Sequence, residues 1–121
     1  MKTTEIATEH YKVIFKPENS ILEISGSIYS SNIDDVFAPI IGAIKDYFQS
    51  KIQVFSININ LLEHIGHAAI FTLKKIFDLV QENVSKVFVN WYHPKEEEDL
   101  KELIEEIIEI YPLIDMSVKE V

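Results

Sequence analysis

Apolar and polar positions change period along this chain, and the changes mark out its elements. Residues 1–9 are polar and lack a clear period, which reads as a loose or weakly pairing lead-in. Tyr11 to Lys16 is rich in β-branched and aromatic side chains, and Pro17-Glu18-Asn19-Ser20 is turn chemistry. Ile21 to Ser27 then sets Ile21, Glu23 and Ser25 against Leu22, Ile24 and Gly26, completing a β-hairpin. Apolar residues next recur at helical spacing through Ile33, Val36, Phe37, Ile40, Ile44, Tyr47 and Phe48. Ser31 precedes Asp34 at capping-box spacing. Pro39 cannot donate to the carbonyl of Asp35, so an irregular first turn is expected, with the regular helix starting near Ala38.

Gln53 to Leu61 returns to a period of two, with Phe55, Ile57, Ile59 and Leu61 opposed to Ser56, Asn58 and Asn60. A loop from Leu62 to Gly66 leads to a second amphipathic helix from His67 to about Asn83, striped by Ile70, Leu73, Ile76, Phe77 and Val80. Val87 to Tyr92 is a short run of strong β-formers without a polar face until Asn90, as an interior strand requires. Pro94 can open a third helix at its first turn, where Glu96, Glu97, Glu98 and Asp99 complement the helix dipole. Leu100, Leu103, Ile104, Ile107, Ile108 and Tyr111 make its stripe, Pro112 stops it, and Leu113 to Val118 is a last strand. The order β-β-α-β-α-β-α-β predicts an α/β fold with a mostly parallel mixed sheet, an N-terminal hairpin and helices packed on it. Neither a repeat nor a linker divides residues 1–121, so a single domain is expected.

Composition narrows the function more than the fold. With 47% hydrophobic and 26% charged residues, the chain has the makings of an ordinary globular core. The formal charge is -9 and all 11 cationic residues are lysine, so the arginine fork that grips phosphate is missing. Nucleic acid and anionic membrane are therefore poor partners. The charge is uneven, because residues 95–121 hold ten acids against three lysines. Cysteine is absent, which removes disulfides, thiolate metal sites and thiol nucleophiles. No apolar run at the N-terminus suits a signal peptide and no later stretch suits a membrane span, so a cytoplasmic location is expected.

Reactive groups cluster in one place, Glu63-His64-Ile65-Gly66-His67. Glu63, His64 and His67 could in principle hold zinc and support a small metal site or enzyme, with His10 and His93 at unknown distance. Against this stands the absence of any HExxH-type element, and no metal or cofactor is expected. His67 also stands at a helix N-terminus, where capping is its expected role. The carboxylates of residues 96–109 read as a solvated helix face, and no serine has a nucleophile-elbow context. Asn58 and Asn60 could line a polar cleft for a small ligand, and Trp91 or Tyr92 could anchor a partner, although packing under the last helix suits at least one of them.

Three stretches together resemble the SiaC-like regulatory phosphoproteins, a bacterial family with a STAS-like fold related to the SpoIIAA anti-anti-sigma factors. They are Ile24-Ser25-Gly26-Ser27 leading to Asn32 and Phe37-Ala38-Pro39-Ile40, then Ile76-Phe77-Asp78-Leu79-Val80, and above all Val89-Asn90-Trp91-Tyr92 with the acidic run Glu96 to Asp99. The resemblance implies a partner switch in which a Ser/Thr at the start of the helix after the third strand is phosphorylated by a kinase and reset by a phosphatase. Here Ile65-Gly66-His67-Ala68-Ala69 occupies that place, and Glu63 to Ile70 contains no Ser or Thr; the nearest hydroxyls are Ser56 and Thr72. Either the switch is lost, or His67 replaces the acceptor, or the chain is a constitutive binder. The expectation is thus a non-catalytic signalling adaptor whose partner-binding or degenerate phosphosite region comprises His64, Gly66, His67, Ala68 and Ala69. By the same resemblance its partners are a kinase, phosphatase or nucleotide cyclase, and a weak homodimer is compatible with the fold.

Overall fold

The computed structural model describes residues 2–28, 33–49, 52–63 and 65–121. The elements are β1 (Thr4–Ala7), β2 (Tyr11–Lys16), a 3₁₀ turn (Pro17–Asn19), β3 (Ile21–Gly26), α1 (Ile33–Tyr47), β4 (Ile52–Leu61), α2 (His67–Asn83), β5 (Val84–His93), α3 (Glu98–Ile110) and β6 (Asp115–Glu120). They build one six-stranded sheet in the order β1-β2-β3-β4-β5-β6, antiparallel across β1, β2 and β3 and parallel from β3 to β6. Because each parallel strand lies beside its predecessor, three right-handed crossovers place all three helices on the same face. The opposite face is left open. The pleat obeys this division: Val13, Phe15, Leu22, Ile24, Phe55, Ile57, Ile59, Val89 and Trp91 are buried under the helices, while Lys12, Glu23, Ser25, Asn58, Asn60 and Asn90 look the other way.

The hairpin turns through Ser20, held at φ 54 and tied by its hydroxyl to that of Tyr47, so the turn is fixed to the end of α1. Gly26 ends β3 at φ +109, and a Cβ there would overlap the carbonyl oxygen of His10 and crowd Cα of Tyr11. Only glycine suits both the dihedral and the close approach.

Five expectations change, the last strand among them: it runs Asp115–Glu120 rather than Leu113 to Val118. Residues 4–7 of the lead-in form an edge strand, registered on β2 from Thr4↔Phe15 to Ala7↔Lys12, and Ile6 packs against the core. Pro39 does not delay α1, which is helical from Ile33: Asp35 and Pro39 both lie on its exposed side, where water can satisfy the carbonyl that loses its donor. The third helix begins at Glu98 rather than at Pro94, because Pro94 to Glu97 closes a turn through Glu97 N to Pro94 O at 3.1 Å. The strand expected over Val87 to Tyr92 extends from Val84 to His93. Ser31 and Asn32, the expected capping residue and part of the family motif, lie outside the described residues, as does His64. Among the described residues no helix is long and apolar enough to cross a membrane.

Candidate functional site

The β4–α2 loop rises from the C-terminal edge of the parallel strands, and the backbone pins it there. Leu62 N donates to Gly26 O at 3.1 Å and Gly66 N donates to Ile28 O at 3.0 Å, both at or beyond the end of β3. Ile65 sinks into the core at 1% exposure between these two bonds. Among the described residues here, Leu62, Glu63 and His67 are exposed. Gly66 is the N-cap, in an extended conformation, with no side-chain cap and no acid in the first turn. His67 is thus the first helical residue and exposed, and it does not cap the helix as expected. Ala68 is half-buried and Ala69 buried, so the start of α2 presents a histidine but no hydroxyl, and its first-turn N–H groups lie beyond the intrahelical ladder.

Along α2 the solvent ridge runs His67, Phe71, Lys75, Asp78 at helical spacing. Phe71 stands out on it at 68% exposure, and Leu62 in the preceding loop is 57% exposed. Thr72, the hydroxyl residue nearest the loop, points the other way. It is fully buried, and its Oγ1 donates to Asp34 Oδ1 of α1 and lies 3.1 Å from the carbonyl of Ala68. Lys75 Nζ meets the other oxygen of Asp34 at 3.1 Å. Together the Thr72 hydrogen bond and then Lys75 hold the Asp34 carboxyl below its ordinary value, and they clamp the start of α1 to α2. Ser56, the other candidate hydroxyl, lies in mid-β4 opposite Phe88, on the open face.

The remaining candidates separate. Among the described residues no three His, Cys, Asp or Glu side chains gather as a metal site. His93 is buried at the end of β5 with Nδ1 2.9 Å from the Pro94 carbonyl, and its Nε2 has no partner among the described residues, whereas His10 is exposed beyond β1. Trp91 is no surface anchor: it is 1% exposed, packs edge-on to Phe77 of α2 with centroids 5.9 Å apart, and donates Nε1 to Met116 Sδ at 3.4 Å. Its neighbours alternate outward. Asn90 donates to Asn58 Oδ1 at 2.9 Å and accepts from Ser117 Oγ at 2.9 Å, a polar ladder over three parallel strands on the open face. Tyr92 joins Lys12, Glu23, Ser25, Asn58 and Asn60 around a shallow depression of ≈ 430 Å³ on that face.

A family model of SiaC family regulatory phosphoproteins matches residues 3–121. The chain belongs to this family. SiaC of Pseudomonas aeruginosa has a similar structure, with a TM-score of 0.81 at 16% sequence identity and 100% coverage of both chains. At that identity the likeness establishes a shared fold, and the regulatory role rests on the family match. None of the curated proteins compared with the sequence matches it. In this chain α2 opens Gly66-His67-Ala68-Ala69, without a hydroxyl side chain.

Proposed function

We propose that this SiaC family member is a non-catalytic signalling adaptor of the cytoplasm. It binds a protein partner through the β4–α2 loop and the first two turns of α2. The observation that carries this reading is Phe71: it is 68% exposed one helical turn from His67, on a ridge that is otherwise polar. An aromatic ring left in water beside an uncapped helix start has the makeup of an interface anchor. By family resemblance the partner is a kinase, phosphatase or nucleotide cyclase of a signalling system. With no acceptor hydroxyl between Glu63 and Phe71, binding here is constitutive.

Co-expression with signalling proteins encoded beside the gene, followed by calorimetric titration, tests the surface. Burying a ring this exposed is worth about 2 kcal/mol, so Phe71→Ala weakens the complex roughly thirtyfold. His67→Glu adds negative charge beside the same contact and weakens it as well. Full affinity retained by both variants would remove the site. A second reading, a small polar ligand in the depression of the open face, draws on Asn58 and Asn60, which line it beside Tyr92. Binding that survives Phe71→Ala but fails on Asn58→Leu would favour it.

A further inference from the structure

β6 is the last strand of the sheet and, among the described residues, pairs only with β5. Val121 N donates to His93 O at 2.9 Å, so by alternation the amides of Asp115, Ser117 and Lys119 also face β5. Those of Met116, Val118 and Glu120 face outward. An edge of this kind is a template for another strand unless its side chains forbid it. Here the side chains suit one occupant. Asp115, Ser117 and Lys119 project on the open face, since Ser117 is registered on Asn90, while Met116 and Val118 project toward the helices and are half-buried. Leu113 and Val121, 83% and 68% exposed, bracket the strand.

We propose that β6 pairs antiparallel with β6 of a second copy of this chain, with Ser117 opposite Ser117 across a two-fold axis. In that register Asp115 faces Lys119 of the second copy twice over, Met116 faces Val118, and Leu113 is brought to Val121 at both ends. The outward amides of Met116 and Val118 meet one another, as a hydrogen-bonded antiparallel pair requires. Other registers fail on the same residues. A slip of one residue sets Asp115 against Glu120 and turns the amides out of phase, and a slip of two leaves either charge facing an uncharged residue. Glu120 is already drawn toward α3, with Lys101 Nζ 3.9 Å from its carboxylate. The two-fold joins the sheets into one and gives an isologous contact. It also sets both acidic α3 helices on one side, so association is weak.

The absence of cysteine makes the test clean. Directly opposed residues of a non-hydrogen-bonded pair have Cα atoms about 4.5 Å apart, within disulfide range. Ser117→Cys is therefore expected to give a covalent dimer on mild oxidation, whereas Lys119→Cys, opposite Asp115, stays monomeric. In sedimentation equilibrium Lys119→Asp weakens self-association roughly tenfold by setting like charges opposite each other twice, and the swap Asp115→Lys with Lys119→Asp restores it. Each variant is read only where its Trp91 emission matches the parent. A Ser117→Cys chain that stays monomeric, equal cross-linking at Lys119→Cys, or a swap that fails to rescue would each overturn the register.

Discussion

Replacing Thr72 by valine removes one hydroxyl and keeps the shape of the side chain, so it isolates the clamp between the helices. Thr72 is fully buried, and its hydroxyl is shared between the Asp34 carboxylate and the carbonyl of Ala68. A hydrogen bond to a charged group is worth about 1.5–3 kcal/mol when sequestered. The Asp34 side chain is 55% exposed, however, and water replaces part of what it loses. The Thr72→Val loss is therefore set at about 1 kcal/mol, or roughly 4 °C in melting temperature for a chain of this size. Two further readouts belong to the same change. Without the Thr72 hydrogen bond the Asp34 carboxyl moves back up toward its ordinary value, which carbon-detected NMR titration follows. In an Asp34→Ala background Thr72→Val costs less, since the partner is already gone. Equal costs in both backgrounds, or an unchanged melting temperature, would refute the clamp. The result bears on function: a hydroxyl that clamps α1 to α2 from inside the core is not a phosphate acceptor. Thr72→Glu, which buries a carboxylate at the same place, is expected to cost several kcal/mol.

Two other outcomes follow from packing and ionisation. Gly26→Ala is expected to destabilise by at least about 2 kcal/mol in urea unfolding, because the dihedral is unfavourable and the methyl meets the His10 carbonyl; a loss typical of a surface glycine would contradict it. Burial first, and Asp78 second, push the Tyr111 phenol above its ordinary value of 10.0. Since the folded value is the higher one, that contribution to stability is full below the ordinary value and is lost as pH climbs toward the folded value. Phenolate absorbance should therefore show Tyr111 ionising late, with unfolding, and a phenol titrating normally in folded protein would contradict its burial.

Much of the fold was legible because its periods are strong. β4 alternates apolar and polar residues over its described length, and α2 and α3 keep their apolar stripes, so these elements needed no tertiary information. β1 was not legible as a strand: four residues at an edge, with only Thr4 and Ile6 half-buried, leave too little pattern above a polar lead-in. The start of α3 misled because Pro94 and the acidic run satisfy the rules for a first helical turn, while the stripe that defines the helix begins only at Leu100. At the site, the missing hydroxyl could be read directly, but the direction of each side chain could not. Trp91 and Tyr92 are adjacent and aromatic, and the pleat alone sends one under the helices and the other to the open face. Phe71 looked like any helix residue between Ile70 and Thr72, and its exposure emerges only when the helix is docked. A signal was available in hindsight, since Phe71 falls outside the stripe set by Ile70, Leu73, Ile76 and Phe77.

Partner binding at α2 is expected to be independent of phosphate. The direct measurement is the affinity of the purified chain for its signalling partner before and after incubation with the co-encoded kinase and ATP, with mass spectrometry of the chain alongside. Unchanged affinity and no phosphate between Glu63 and Thr72 is the expected result. A phosphate in that segment accompanied by a change in affinity would contradict the account and return this chain to the phosphorylation-controlled switching that the family resemblance implies.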